Sequence, residues 1–111
     1  MVYYNKNGSG VMDIILIKER VRQGKLILSS HAEEERMDEN LTVQEVIDAI
    51  LADEILEDYP DTGRGESCLL LGFVDGKPIH IVCGWRRDSA VVVTVYIPVP
   101  PHFRDPWTRM D

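Results

Sequence analysis

Apolar side chains follow two rhythms along this chain. As far as Leu51 they recur every three or four positions, and from Ser67 onward they gather in blocks rich in valine, isoleucine and leucine. The first rhythm predicts helices. Met12, Ile15, Leu16 and Val21 form a stripe with Lys18, Glu19, Arg20 and Arg22 on its wet side, and Gly24 suits the end of that helix. Leu26-Ile27-Leu28 is a short extended stretch or a link. Ser30 followed by Glu33 has the form of a capping box for a helix over about 31–39, with Glu33, Glu34 and Glu35 in its first turns. Thr42 with Glu45 repeats the signal ahead of Val43, Val46, Ile47, Ile50 and Leu51.

The second rhythm predicts strands. Residues 54–59 become extended towards Tyr59-Pro60, and 61–66, with Gly63 and Gly65, form a loop. Ser67–Val74, Pro78–Cys83 and Ala90–Ile97 are three strands, the first two joined at Asp75-Gly76, the strongest hairpin signal in the chain. A two-residue loop there sets Val74 against Lys77, His80 against Leu71 and Cys68 against Cys83. In the third strand Thr94 and Tyr96 alternate with Val93, Val95 and Ile97. The start, residues 1–10, reads as flexible, and the proline-rich tail, residues 98–111, as an extended strap. The pattern as a whole is one α+β domain over residues 1–111: N-terminal helices packed on a small antiparallel β-sheet.

Charge divides the chain in two. The net charge is −7, but residues 1–63 carry six basic and fourteen acidic side chains (−8), whereas residues 64–111 carry six and five (+1). An acidic whole opposes non-specific nucleic-acid binding, though a local basic cleft is compatible with it. Two cysteines without metal-ligand spacing read as buried reduced thiols. With neither a secretory leader pattern nor the roughly 20 apolar residues of a spanning helix, the expectation is a cytoplasmic protein without a membrane partner.

Six residues carry the candidate chemistry. His31 falls at a helix start, where free N–H groups attract anions. Arg36, five positions on, lies about 140° round the helix, within reach of a cleft or of an ion pair with Glu33 or Asp38. His80 interrupts the run Ile79-His80-Ile81-Val82-Cys83, where a polar ring must find partners or cost stability. If Thr94 and Tyr96 share its face, a histidine, a phenol and a hydroxyl converge for metal-free acid/base work. Arg86, with Arg87, is expected in a turn over Gly84–Ser89, suited to phosphate or simply to solvent. His31 with Glu34 or Glu35 makes only two metal ligands at helical spacing, so neither a metal nor another cofactor is expected.

Taken in order, Ser30-His31-Ala32, Met37, Leu41-Thr42 with Glu45-Val46, Tyr59-Pro60, Ser67-Cys68-Leu69 with Gly72, Pro78-Ile79-His80 with Val82, and Thr94-Val95-Tyr96 resemble the bacterial family called domain of unknown function 4258, over about residues 25–97. That family is thought to belong with the small RelE-like and MqsR-like ribonuclease toxins. The resemblance implies a RelE/barnase-like fold and metal-independent cleavage of RNA by 2′-hydroxyl attack. It also implies a partner antitoxin, often of zinc-finger type. On the matched positions His31 and His80 become acid/base candidates, Tyr96 a proton donor or positioning hydroxyl, and Arg36 or Arg86, with Thr94, the substrate contacts. The alternative is a non-catalytic protein-interaction module on the same scaffold.

Overall fold

The computed structural model describes residues 13–52, 54–59, 66–98, 103–106 and 108–109. The expected flexible start and the 61–65 loop lie outside them.

The first helix, α1 (Ile14–Arg22), begins at Asp13, whose carboxylate accepts from the N–H groups of Ile15 (2.9 Å) and Leu16 (3.3 Å). This cap sets the phase of the apolar stripe. Ile17 and Val21 are the buried residues, with Ile14 packed beside them, while Ile15 is 48% exposed. The expected stripe through Ile15 is therefore turned by part of a turn, and Met12 lies outside the described residues. Gly24 ends the helix at φ +78°, with Lys25 N–H donating to the Arg20 carbonyl and Gly24 N–H to that of Val21.

The strand β1 (Leu26–Leu28) follows, then α2 (Ser30–Asp38) and α3 (Val43–Leu51). Ser29, not Ser30, caps α2. Its Oγ accepts from Ala32 N–H at 3.0 Å and donates to the Val93 carbonyl, and its own N–H reaches the Val92 carbonyl. The residue that ends strand pairing therefore also starts the helix. Thr42 and Glu45 form the expected reciprocal box at α3. Between these helices Asn40 takes φ +58°, and Leu41 N–H returns to the Arg36 carbonyl.

Four further strands, β2 (Glu54–Tyr59), β3 (Ser67–Val74), β4 (Lys77–Arg86) and β5 (Ser89–Tyr96), complete a five-stranded sheet in the order β1-β5-β4-β3-β2. Its β2–β5 portion is antiparallel, but β1 adds to β5 in parallel, so the sheet is mixed rather than antiparallel throughout. A parallel partner needs a long crossover, here everything from α2 to β4. The β3–β4 register is the one the Asp75-Gly76 turn dictates, with Leu71 opposite His80 and Cys68 opposite Cys83; both turn residues have positive φ.

At the next turn the expectation fails. Strand β4 runs on to Arg86, which pairs with Ser89, so only Arg87 (φ +57°) and Asp88 turn the chain. Asp88 is tied to Lys25 at 2.7 Å, and Ala90 N–H to the Lys25 carbonyl, so β1 holds this turn tight. A bulge then shifts β5: Cys83 faces Val92 and Val82 faces Thr94, which leaves Val93 as the extra residue. Val92 and Val95 both enter the helix-side core, and Val93 is 43% exposed, so the simple alternation expected for this strand does not hold.

Along the sheet, α2 lies on β5 and α3 on β3. The shared core comprises Ile17, Val46 and Ile50 from the helices and Leu70, Ile79, Ile81, Val92 and Val95 from the sheet. Cys68 and Cys83 are buried there, opposite each other on β3 and β4. Beyond the sheet the tail forms a small hairpin, β6 (Phe103–Asp105) with β7 (Thr108–Arg109). Among the described residues no helix is long and apolar enough to cross a membrane.

Gly72 shows how closely α3 seats. A Cβ there would meet backbone atoms of Ala49, with C at 2.8 Å and Cα at 2.9 Å, so only glycine lets helix and strand approach this far. Gly72→Ala is expected to cost about 1–3 kcal/mol, by forcing α3 off β3. Gly84→Ala, whose Cβ would meet nothing nearer than 3.5 Å, is expected to cost little. Denaturant unfolding of the two variants measures the contrast.

Candidate functional site

The open edge of β5 is the first place where chemistry gathers. Strand β1 pairs only as far as Val92, so beyond it the β5 backbone needs another partner. Glu35, from the middle of α2, supplies one. Its Oε1 accepts from Val95 N–H (3.0 Å) and from the Thr94 hydroxyl. Oε2 stands 3.3 Å from Nε2 of His31, one helical turn back. The His31 side chain is 67% exposed, and among the described residues its Nδ1 has no partner. Nε2 thus lies at ion-pair distance from the carboxylate, while the imidazole as a whole stands largely in water. This is a histidine–carboxylate dyad with its carboxylate fixed by the sheet.

Around the same strand, on the face away from the helices, lies a second group. His80 and Tyr96 are direct cross-strand partners, with rings 5.3 Å apart at 65°. His80 is fully buried. Its Nε2 lies 2.7 Å from the carbonyl oxygen of Pro106 and its Nδ1 3.3 Å from the Tyr96 hydroxyl. A carbonyl can only accept, so Nε2 carries the hydrogen, and in the neutral ring Nδ1 accepts from Tyr96 O–H. The tail at Pro106 therefore closes over His80. This satisfies the polar ring that the sequence marks as costly, and it takes His80 out of reach of solvent.

The arginines divide. Arg36 grips Glu33 through two nitrogens, at 2.5 and 2.9 Å, and donates from a third to the Leu41 carbonyl at 3.1 Å. It thus clamps the α2–α3 turn, in the ion pair that its spacing allows. The bond to Arg36 holds the Glu33 carboxyl below its ordinary value of 4.5, and that to Glu33 raises the guanidinium. Arg86 is exposed at the end of β4, beside a cleft of about 330 Å³. His31, Glu35 and Thr94 are thus brought together, Tyr96 and His80 form a second pair two residues along β5, and Arg36 and Arg86 stand in neither. From the sequence Glu35 reads as a carboxylate near the start of a helix and, with His31, as one of two possible metal ligands. Its i to i+4 spacing from His31 was the available signal for a dyad. Nothing local announces the Pro106 carbonyl, 26 residues from His80.

Two measurements follow. His80→Leu, which removes the partner of both the Tyr96 hydroxyl and the Pro106 carbonyl, is expected to destabilise the fold by about 1–3 kcal/mol, and nitrogen NMR of the wild type is expected to show a His80 ring protonated at Nε2. A folded-state carboxyl held below 4.5 contributes stability that is complete above that pH and is lost as the pH falls through the lowered value. The gap in denaturation midpoint between wild type and Arg36→Met is therefore expected to narrow as the pH drops below 4.5.

No curated protein and no solved structure matches the chain significantly. One family model does, described as Domain of unknown function (DUF4258), over residues 28–97. That span runs from the last residue of β1 to just past Tyr96, and so includes His31, Glu35, His80, Thr94 and Tyr96. The chain belongs to the DUF4258 family.

Proposed function

We propose that the protein is the toxin component of a toxin–antitoxin pair, a metal-independent endoribonuclease on a RelE/barnase-like arrangement of helices over antiparallel strands. The observation that carries this reading is the His31–Glu35 dyad, its carboxylate anchored to Thr94 and Val95 and its imidazole largely open to water. In this reading Nδ1 takes the proton of a ribose 2′-hydroxyl, and the oxygen attacks the neighbouring phosphorus. A 2′,3′-cyclic phosphate forms, and the 5′-oxygen leaves with a proton from water, while the Tyr96 hydroxyl, its own proton directed at His80, serves as the positioning group. Glu35 steadies the imidazolium. His80 touches no substrate; it is a positioning residue that acts through Tyr96. Arg36 holds the turn below the dyad, which leaves Arg86 as the phosphate contact. The acidic half of the chain is then the surface for an antitoxin, for which the family resemblance suggests a zinc-finger type.

The sealed His80 and the bound Arg36 favour a second reading, a non-catalytic module that docks a protein. Induction in a bacterial host, with RNA cleavage assayed in the presence of a chelator, separates the two. The nuclease reading expects a toxic wild type whose cleavage falls by about 10²–10⁴-fold in His31→Ala, and by a similar factor in Glu35→Ala. His31 is exposed, so its loss leaves the fold intact. A harmless wild type with no cleavage would leave the docking module standing.

A further inference from the structure

The cleft beside Arg86 belongs to the same sheet face as His80, since Val82, Gly84 and Arg86 follow it at every second position of β4. Its floor is Gly84 and its walls include Val82, Val91 and Val93, with Glu66 and Arg86 at its polar parts. At about 330 Å³ it is at the small end of the ~300–1,000 Å³ usual for small-molecule sites. It thus has room for one planar heterocycle and not for a large ligand. Three features point to its occupant. Gly84 is buried without a side chain, so the floor between Val82, Val91 and Val93 stays flat and apolar, as a ring face requires.

Charge agrees with this. The exposed guanidinium of Arg86 stands at the cleft, in the half of the chain that is net basic, and Arg87 is exposed next to it. The third feature is position. Val82, a wall of the cleft, is the cross-strand partner of Thr94, whose hydroxyl holds Glu35 and through it His31. From Gly84 to Val82 is two residues along a strand, about 7 Å, comparable to one nucleotide step in an extended RNA strand.

We propose that this cleft is a nucleobase subsite, in which the base of one nucleotide lies on Gly84 between the valines while Arg86 pairs with the attached phosphate. The proposal rests on the nuclease reading for its choice of substrate, and it adds where the strand is gripped. Gly84 also offers an unstrained probe, since a Cβ there meets the Glu66 carbonyl at 3.5 Å and the Ser67 and Val93 side chains at 4.0 Å, all ordinary contacts. Larger side chains at this position grow into the cleft.

The test titrates the full chain with short oligonucleotides made uncleavable by 2′-deoxy substitution, and with nucleoside monophosphates, while amide NMR reports the site. The expected result is a shift of the Gly84, Val91 and Val93 amides, with affinity for the oligonucleotide weakened at least tenfold in Gly84→Leu and in Arg86→Gln. Gly84→Ala, with wild-type unfolding behaviour, is expected to weaken binding by a smaller factor. Wild-type affinity in Gly84→Leu, shifts confined to other surfaces, or no binding of either probe by the wild type would each overturn the subsite. A wild type that cleaves RNA while Gly84→Leu cleaves the same bonds at the same rate would also end it, with the nuclease reading intact. Monophosphate binding at the cleft in a chain that cleaves nothing would support the subsite and end the nuclease.

Discussion

The arrangement of this molecule turns on one carboxylate. Strand β1 is too short to cover β5, so the β5 edge beyond Val92 presents backbone groups that must be satisfied by something other than a strand. Glu35 does this from α2, bonding the Val95 N–H and the Thr94 hydroxyl, just as Ser29 at the start of the same helix bonds the Val92 and Val93 carbonyls. Helix α2 is in effect the next strand of the sheet in functional terms. Hydrogen bonds to a charged acceptor contribute about 1.5–3 kcal/mol each, enough to fix both the helix position and the rotamer of Glu35. The second oxygen is then held where His31 can meet it.

The same strand organises the opposite face differently. On the edge, water reaches the imidazole of His31; on the face away from the helices, the imidazole of His80 is buried with Tyr96 on one nitrogen and Pro106 on the other. A buried polar ring of this kind costs stability unless it is fully bonded, and the tail hairpin supplies the last bond. The two histidines therefore have different work. The His31 ring stays largely open to solvent, whereas His80 fixes a phenol and fastens the C-terminal tail to the sheet.

Much of the scaffold was legible because it is encoded by neighbours. Asp75-Gly76 set the β3–β4 register, and with it the pairing of His80 with Leu71, because a two-residue turn leaves one solution. Thr42 and Glu45 announced α3 for the same reason. Features decided by distant partners were not legible. Ser29 displaced Ser30 as the cap because β5 gives it two further bonds, and β1 joined in parallel through a crossover of some sixty residues. The bulge at Val93, which sends both Val92 and Val95 into the core, reflects the packing of helices on the sheet. Within the candidate site, Thr94 and Tyr96 were legible as sharing a strand face, but the pairing of Tyr96 with His80 depended on the tight turn and the bulge, and the role of Glu35 and the closure by Pro106 on tertiary contacts.

Amide hydrogen exchange at Val95 tests the central role of Glu35 most directly. Its N–H points away from β4 to an edge that no strand covers among the described residues, so its protection depends on the carboxylate. In the wild type this amide should exchange as slowly as its strand-paired neighbours. In Glu35→Ala it should exchange at the rate of an open edge while the Ile81 and Val92 amides keep their protection. Rapid exchange at Val95 in the wild type, or unchanged protection once the carboxylate is gone, would contradict the account.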